Sequence, residues 1–198
     1  MVIFIDRQHT GKPHRPTDRG ASHDLDGDGT ITALEQETYW TGYLGLMLET
    51  RLVQEGHTVI ILSDGKYSDR HSRVNEYSQL FPQERQIYLA LHFNCGGGSY
   101  GAMFYHHQSS KGQYLADCIN EGLEGYFPQV SQFKSIPSQP GDWTKNAYNT
   151  IKGVGSPVAI CMEPLFLDTH KDLMTQEGMA KIVLGTAQGI QKWGVTHV

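Results

Sequence analysis

VIFIDRQH, residues 2–9, begins with an unbroken apolar run and ends in Asp6, Arg7, Gln8 and His9. A short apolar run of this kind reads as a first β-strand. Two further runs repeat the pattern. IYLALH, residues 87–92, ends at His92, and PVAICM, residues 157–162, is followed by Glu163. Thr58–Leu62 is a short β-branched strand, and the aromatic content of Tyr100–His107 suggests another. Helical patterns lie between them. Leu44, Leu48 and Leu52 recur every four residues in a helix expected from about Glu35 to Glu55, with Gly56 as its stop. Ser68–Leu80, Gly112–Tyr126 and Met174–Trp193 are also expected to be helical, and Phe127–Gly141, with three prolines, to be loop. Strands alternating with helices imply an α/β fold: a single domain over residues 1–198, with a mostly parallel twisted sheet and helices on both faces.

Composition narrows the function. The chain is 38% hydrophobic and 19% charged, ordinary for a soluble enzyme. A net charge of -5 argues against a nucleic-acid partner, which calls for a basic face. Cys95, Cys118 and Cys161 are an odd, scattered set rather than a disulfide framework, so reduced thiols and synthesis in the cytoplasm are expected. No apolar run approaches the ~20 residues that span a bilayer, so membrane insertion is not expected. Met1 to Asp6 lacks a basic leader and a cleavage site, so action outside the cell would need another means of release. A monomer is expected.

In open α/β sheets, ligands bind beyond the carboxyl ends of the strands. If the three apolar strands are parallel, His9, His92 and Glu163 share one edge. A lone His or Glu at a strand end has a plain structural reading, but three on one edge form a candidate site. Two neutral imidazoles and a carboxylate make a His₂Glu zinc site with one open position. A further carboxylate would be needed as base.

Residues 24–35 read DLDGDGTITALE. An EF-hand loop needs oxygen ligands at positions 1, 3 and 5, Gly at 6, a backbone carbonyl at 7 and a bidentate Glu at 12. Asp24, Asp26, Asp28, Gly29, Thr30 and Glu35 meet those requirements, which makes Ca²⁺ the expected ion. The preceding Pro16 to Gly20 is not helical, so the loop and its exit helix stand without an entry helix. This feature alone supports a calcium-binding or calcium-dependent adhesion module without catalysis.

Taken in order, these motifs give a resemblance. From about Val2 to Trp193 the chain resembles the catalytic domain of zinc-dependent N-acetylmuramoyl-L-alanine amidases, the third amidase family, common in autolysins and phage endolysins. IDRQHTG matches that family's IDPGHGG-like motif and implies His9 as a metal ligand. Its second ligand is a Glu opening the first long helix, about nineteen residues before a Gly; Glu37 stands nineteen before Gly56. LALHFN matches a SIHAN-like motif and implies His92. ICMEPLFLDTHKD matches the motif of the catalytic Glu and implies Glu163, with Phe166 and Asp172 also in place. The calcium motif claims Glu35 and the family spacing favours Glu37; at about 100° per residue they would point to nearly opposite helix faces. There are departures. The family's Gly-rich turn is replaced by the longer calcium segment, its Asn after the catalytic Glu falls near Thr169, and its Arg after the second strand is missing from ILSDG. Cys95, three after His92, reads as packing, and at most one of His106 and His107 can face the site.

The resemblance implies a Zn²⁺ enzyme that cleaves the amide between N-acetylmuramic acid and L-alanine in bacterial peptidoglycan, with Glu163 as general base. Two rivals remain. One is another zinc amide hydrolase, such as a carboxypeptidase, which would want a basic residue; Lys145 and Arg73 exist, but nothing in the sequence places them. The other is the non-catalytic calcium module. A phage endolysin released at lysis is the first expected setting, and a mother-cell lysin of a spore-former the second.

Overall fold

The computed structural model describes residues 1–9, 17–62 and 65–196. Its strands are β1 (Val2–Arg7), β2 (Thr58–Leu62), β3 (Gln86–Leu91), β4 (Gly101–His106), β5 (Phe133–Ser138) and β6 (Val158–Glu163). Its helices are α1 (Glu37–Gln54), α2 (Tyr67–Ser78), α3 (Ser110–Glu124), α4 (Lys145–Ile151) and α5 (Gln176–Thr196). The sheet runs in the order β2-β1-β3-β6-β4-β5. The first four strands in that order are parallel; β4 and β5 run parallel to each other and antiparallel to β6.

Both faces of the central strands are buried, which is why they read as continuous apolar runs rather than alternating ones. Ile3, Ile5, Ile87, Leu89 and Leu91 pack with α1, α3 and α5, while Val2, Phe4, Tyr88, Ala90 and Cys161 pack with α2 and α4. The leucine spacing in α1 does what it promised: Leu44, Leu48 and Leu52 are fully buried, each contributing roughly 2 kcal/mol. Helices α3 and α5 approach so closely that a Cβ on Gly122 would lie 2.1 Å from the Gly185 carbonyl oxygen. No helix among the described residues is long and apolar enough to cross a membrane.

Two local expectations are corrected, and one short helix has no counterpart among the expected elements. The supposed loop from Phe127 to Gly141 contains β5, an edge strand paired only to β4; an edge tolerates Pro137, which has no N–H to give. Helix α4, KNAYNTI, has too short an apolar stripe to announce itself. The first helix starts at Glu37 and not Glu35. Ala33–Glu35 is a separate 3-10 turn, and Gln36, at φ -119° and ψ 135°, is extended. Gln36 leaves the helical path because Ser22 pairs with it in an antiparallel bridge.

Beneath the carboxyl edge lies a buried polar knot. The Arg70 guanidinium on α2 sits 2.8 Å from Asp6 Oδ2, donates to Gln8 Oε1 at 2.8 Å and donates to the Gly65 carbonyl at 2.9 Å. The Tyr88 hydroxyl donates to Asp6 at 2.5 Å. A buried cation needs such a set of partners to offset desolvation. The knot ties α2 to the end of β1, directly before His9.

Candidate metal centre

The order β1-β3-β6 brings three carboxyl ends side by side. Leu91 pairs with Met162, and the His92 N–H donates to the Met162 carbonyl at 2.8 Å, so His92 leaves the sheet beside Glu163. Beyond the strands, the Asn94 N–H donates to the Leu165 carbonyl at 3.0 Å and the Leu167 N–H to the Asn94 carbonyl at 2.8 Å. The Gly96 and Gly97 N–H groups both donate to Asp168 Oδ2 at 2.8 Å. These bonds hold the two loops together and fix the spacing of His92 and Glu163.

His9 turns out of β1 with φ 63°, a left-handed conformation costing a non-glycine residue about 1–2 kcal/mol. The turn is braced by helix α1: Thr38 Oγ1 donates to the His9 carbonyl at 3.0 Å and Thr41 Oγ1 to the Gln8 carbonyl at 2.7 Å. His9 Nδ1 bonds Asp18 Oδ1 at 2.8 Å, and the Gly20 N–H donates to the same oxygen at 3.0 Å. With Nδ1 engaged by a carboxylate, Nε2 is left to face the site, the arrangement that orients metal-binding histidines.

Glu37 completes the group. Its Oε1 accepts from the Phe93 N–H at 3.0 Å and lies 2.7 Å from His92 Nδ1. Its Oε2 accepts from the Ala21 N–H at 2.7 Å and lies 3.4 Å from His9 Nε2. The donor atoms of His9, Glu37 and His92 all lie within 4.8 Å of one another. Burial by itself would raise the Glu37 carboxyl, but His92, His9 and the Ala21 N–H outweigh it and hold it below the usual value. His92 shows the counterpart: burial opposes its charge, while Glu37 and Glu163 outweigh burial and push it up. Two imidazoles and a carboxylate facing one point call for positive charge at that point, supplied by a proton or by a cation. The donor set fits zinc: two nitrogens, one carboxylate, and space for a fourth ligand.

Glu163 is in the same cavity but outside the triad. Its Oε2 accepts from Asn94 Nδ2 at 2.6 Å. Burial pushes its carboxyl above the ordinary range; Glu37 adds to this, and His92 and Asn94 pull the other way. A carboxyl tuned upward is suited to accepting and returning a proton near neutral pH. The cavity, about 520 Å³, extends from these four residues between α2 and α4.

The acidic loop forms a second group, Asp24, Asp26 and Asp28. Asp24 accepts from the Gly27 N–H at 2.8 Å and the Gly29 N–H at 2.9 Å, and Asp28 from the Thr30 N–H at 2.7 Å. Thr30 is exposed. Glu35 lies outside this group of three: its carboxylate accepts from the Leu25 N–H at 2.6 Å and the Thr32 N–H at 2.7 Å. Glu35 and Glu37 do not sit on opposite faces of one helix; the extended Gln36 separates them. The loop is sewn to the His9, Glu37 and His92 group. The Glu37 N–H donates to the Ala21 carbonyl at 2.8 Å, and the His23 N–H to the Glu35 carbonyl at 3.2 Å.

Other expected residues fall elsewhere. Cys95 does not join the triad. His106 ends β4, which is antiparallel to β6, so it leaves the sheet at the opposite edge. His107 lies past that strand, and the two rings stack at 4.7 Å rather than facing apart. Phe166 packs edge-on to Tyr100 and His170, and Asp172 lies in the 3-10 turn Lys171–Leu173. Arg73 and Lys145 are not among the described residues lining the cavity; Lys152, which sequence reading passed over, is.

The fold that places Glu163 beside His9, Glu37 and His92 has solved counterparts. The fold is that of N-acetylmuramoyl-L-alanine amidases. The solved N-acetylmuramoyl-L-alanine amidase from Clostridium difficile 630 superposes with a TM-score of 0.75 at 15% identity, over 100% of this chain and 98% of that one. The amidase AmiC2 of Nostoc punctiforme matches with a TM-score of 0.72 at 16% identity, over 98% and 97%. The catalytic domain of the CD27L endolysin targeting Clostridia difficile gives 0.67 at 19%, over 97% of each. No protein-family model and no curated protein matches the sequence. The amidase fold thus persists at an identity where sequence comparison alone is silent.

Proposed function

We propose that this chain is a zinc-dependent peptidoglycan hydrolase that cleaves the amide between N-acetylmuramic acid and L-alanine. The observation that supports it best is the convergence of His9, Glu37 and His92 within 4.8 Å in one cavity with Glu163. Zinc held by those three residues would supply Lewis-acid chemistry, polarising the scissile carbonyl and acidifying water. Glu163 takes the proton from the attacking water and returns it to the departing amine nitrogen. Asn94 holds the Glu163 carboxylate in place for both transfers. Asp18 keeps the His9 ring oriented, and the Ala21 and Phe93 N–H groups keep Glu37 fixed. No side-chain nucleophile is needed.

In the same reading, Asp24, Asp26, Asp28, the Thr30 carbonyl and Glu35 take Ca²⁺. Glu35 would exchange its N–H partners for the ion, and the pairing of residues 21–23 with 35–37 would carry that order to Glu37. The wall is reached after release from the cell, as a lysis enzyme requires.

Digestion of purified peptidoglycan tests the proposal. New L-alanine amino termini should appear together with muramic-acid glycans that have lost their peptides. New termini elsewhere in the peptide would make the chain a different zinc peptidase, and wall binding without any new termini would make it a binding module.

A further inference from the structure

The cavity has a blind arm beside Glu163. Cys161 and Glu163 stand two apart on β6, so they face the same side of the sheet, about 7 Å apart along the strand. Both line the cavity, which therefore runs back from Glu163 over Cys161, between α2 and α4. Helix α2 starts at the carboxyl edge, where β2 ends, so His71 and then Asn75 lie successively farther from that edge. There the slot is closed. His71 Nε2 bonds the Thr150 carbonyl at 2.7 Å, Asn75 Nδ2 donates to the Gly153 carbonyl at 2.9 Å, and the Gly155 N–H donates to Asn75 Oδ1 at 2.8 Å. Little room is left behind the first of these bonds: a Cβ on Gly153 would lie 2.3 Å from His71 Nδ1.

The walls of this slot are polar but uncharged. Asn146 and Asn149, three apart on α4, line one side, and Tyr67 on α2 lines the other. Among the described residues neither side-chain amide is engaged by a hydrogen bond. Lys152 borders the cavity, but its ammonium lies 5.6 Å from the centre of the Tyr148 ring, and Tyr148 packs on His106 and His107 at the opposite edge of the sheet. Tyr148 and Lys152, four apart, thus share another side of α4. Burial favours the neutral form of His71. Such a slot suits neither a carboxylate nor an ammonium. Each asparagine offers both donors and an acceptor, the complement of an amide. A closed end admits a short side group and excludes a chain that continues, and in a muramoyl peptide both glycan and peptide continue. Muramic acid carries a short neutral amide, the acetamido group, on the ring carbon next to the one bearing the lactyl arm. The alanine methyl, the short group on the peptide side, has no use for two carboxamides.

We propose that the slot between α2 and α4 takes the acetamido group of the muramoyl residue. Asn146 and Asn149 bond its amide, and its methyl sits over Cys161 and Ala147, so the enzyme selects N-acetylated over de-N-acetylated sugar. This rests on the muramoyl-peptide reading above. Walls fixed beforehand lose less entropy when the group enters. The test compares the zinc-loaded full chain with the double variant Asn146→Ala, Asn149→Ala. Both side chains lack partners, so the variant should fold, which thermal melts check. Three soluble muramoyl-alanyl peptides differ only at the 2-amino group: acetamide, free amine or butyramide. The parent should prefer the acetamide to the free amine by about tenfold in kcat/KM, the scale of two ordinary hydrogen bonds, and the double variant should lose that preference. Both proteins should disfavour the butyramide, because the His71–Thr150 bond still closes the slot. A parent indifferent to the 2-amino substituent, or an acetamide preference that survives in the double variant, overturns the proposal. If the parent cleaves none of the three, the amidase reading fails separately. NMR titration then decides the slot: side-chain amide signals of Asn146 and Asn149 that shift with N-acetylmuramic acid and not with muramic acid support it, and signals that stay put overturn it.

Discussion

Replacing Gly20 with alanine presses on two proposed zinc ligands at once. Gly20 has φ +69°, and an added Cβ would lie 2.3 Å from Glu37 Oε2 and 2.7 Å from His9 Cδ2. Real Cβ atoms essentially never come closer than 3.0 Å, so Glu37 must retreat by at least 0.7 Å, the difference from 2.3 Å. Neither neighbour can yield freely. Glu37 is held by the Ala21 and Phe93 N–H groups, and the His9 ring by Asp18. The left-handed backbone adds about 1–2 kcal/mol of strain. Ligands displaced by most of an ångström should lower zinc affinity by about 10–100-fold, the range seen when supporting groups of a metal site are disturbed. Gly56→Ala is the control. It has φ +83° with nothing within 4 Å, so it carries the backbone cost alone. Competition titration against a chromophoric chelator, with thermal melts of both variants, separates the effects. Both should lose stability, and only Gly20→Ala should lose zinc. If Gly20→Ala binds zinc like the parent, or Gly56→Ala loses it equally, the geometry given for Glu37 and His9 is wrong.

Glu163→Gln keeps the shape but cannot accept the proton; zinc content should be unchanged and turnover should fall by ~10²-fold or more, and near-parental activity would remove Glu163 from the mechanism. Asp24→Asn with Asp26→Asn should abolish a Ca²⁺-dependent rise in melting temperature that the parent shows at saturating zinc; a parent indifferent to Ca²⁺ would reduce the loop to an acidic turn. Burial holds His71 below its usual pKa, so the folded state prefers the neutral ring and the unfolded state takes up more protons. The stability gained from this is fully present above the unfolded value of about 6.5 and is lost as pH falls through the lower folded value. His57, His106 and His170 are depressed by burial too, so His71→Asn should flatten the acid-side melting profile below about pH 6.5 in part, and an unchanged slope would contradict the placement of His71.

Much of this was written locally. A buried strand is a continuous apolar run, so β1, β3 and β6 showed themselves, and the residue that ends each run is the one leaving the sheet at its ligand-binding edge. That is why His9, His92 and Glu163 were legible from their positions alone. The aspartate spacing of residues 24–28 was equally local, because one turn of chain sets it. The rest depended on contacts between distant segments. Nothing in the neighbourhood of Asp18 or Gly20 marks them; they matter because the chain returns there after the turn at His9 and packs on Glu37. The separation of Glu35 from Glu37 follows from Ser22 pairing with Gln36, which overrides the helical preference of the intervening residue. Lys152 is one lysine among many in sequence and becomes a cavity residue only when His71 and Asn75 draw α2 against the end of α4. Side-chain period and strand ends are properties of consecutive residues, whereas a metal site with its supporting groups is a property of elements brought together by burial, and only the packed sheet and helices decide which carboxylate faces which imidazole.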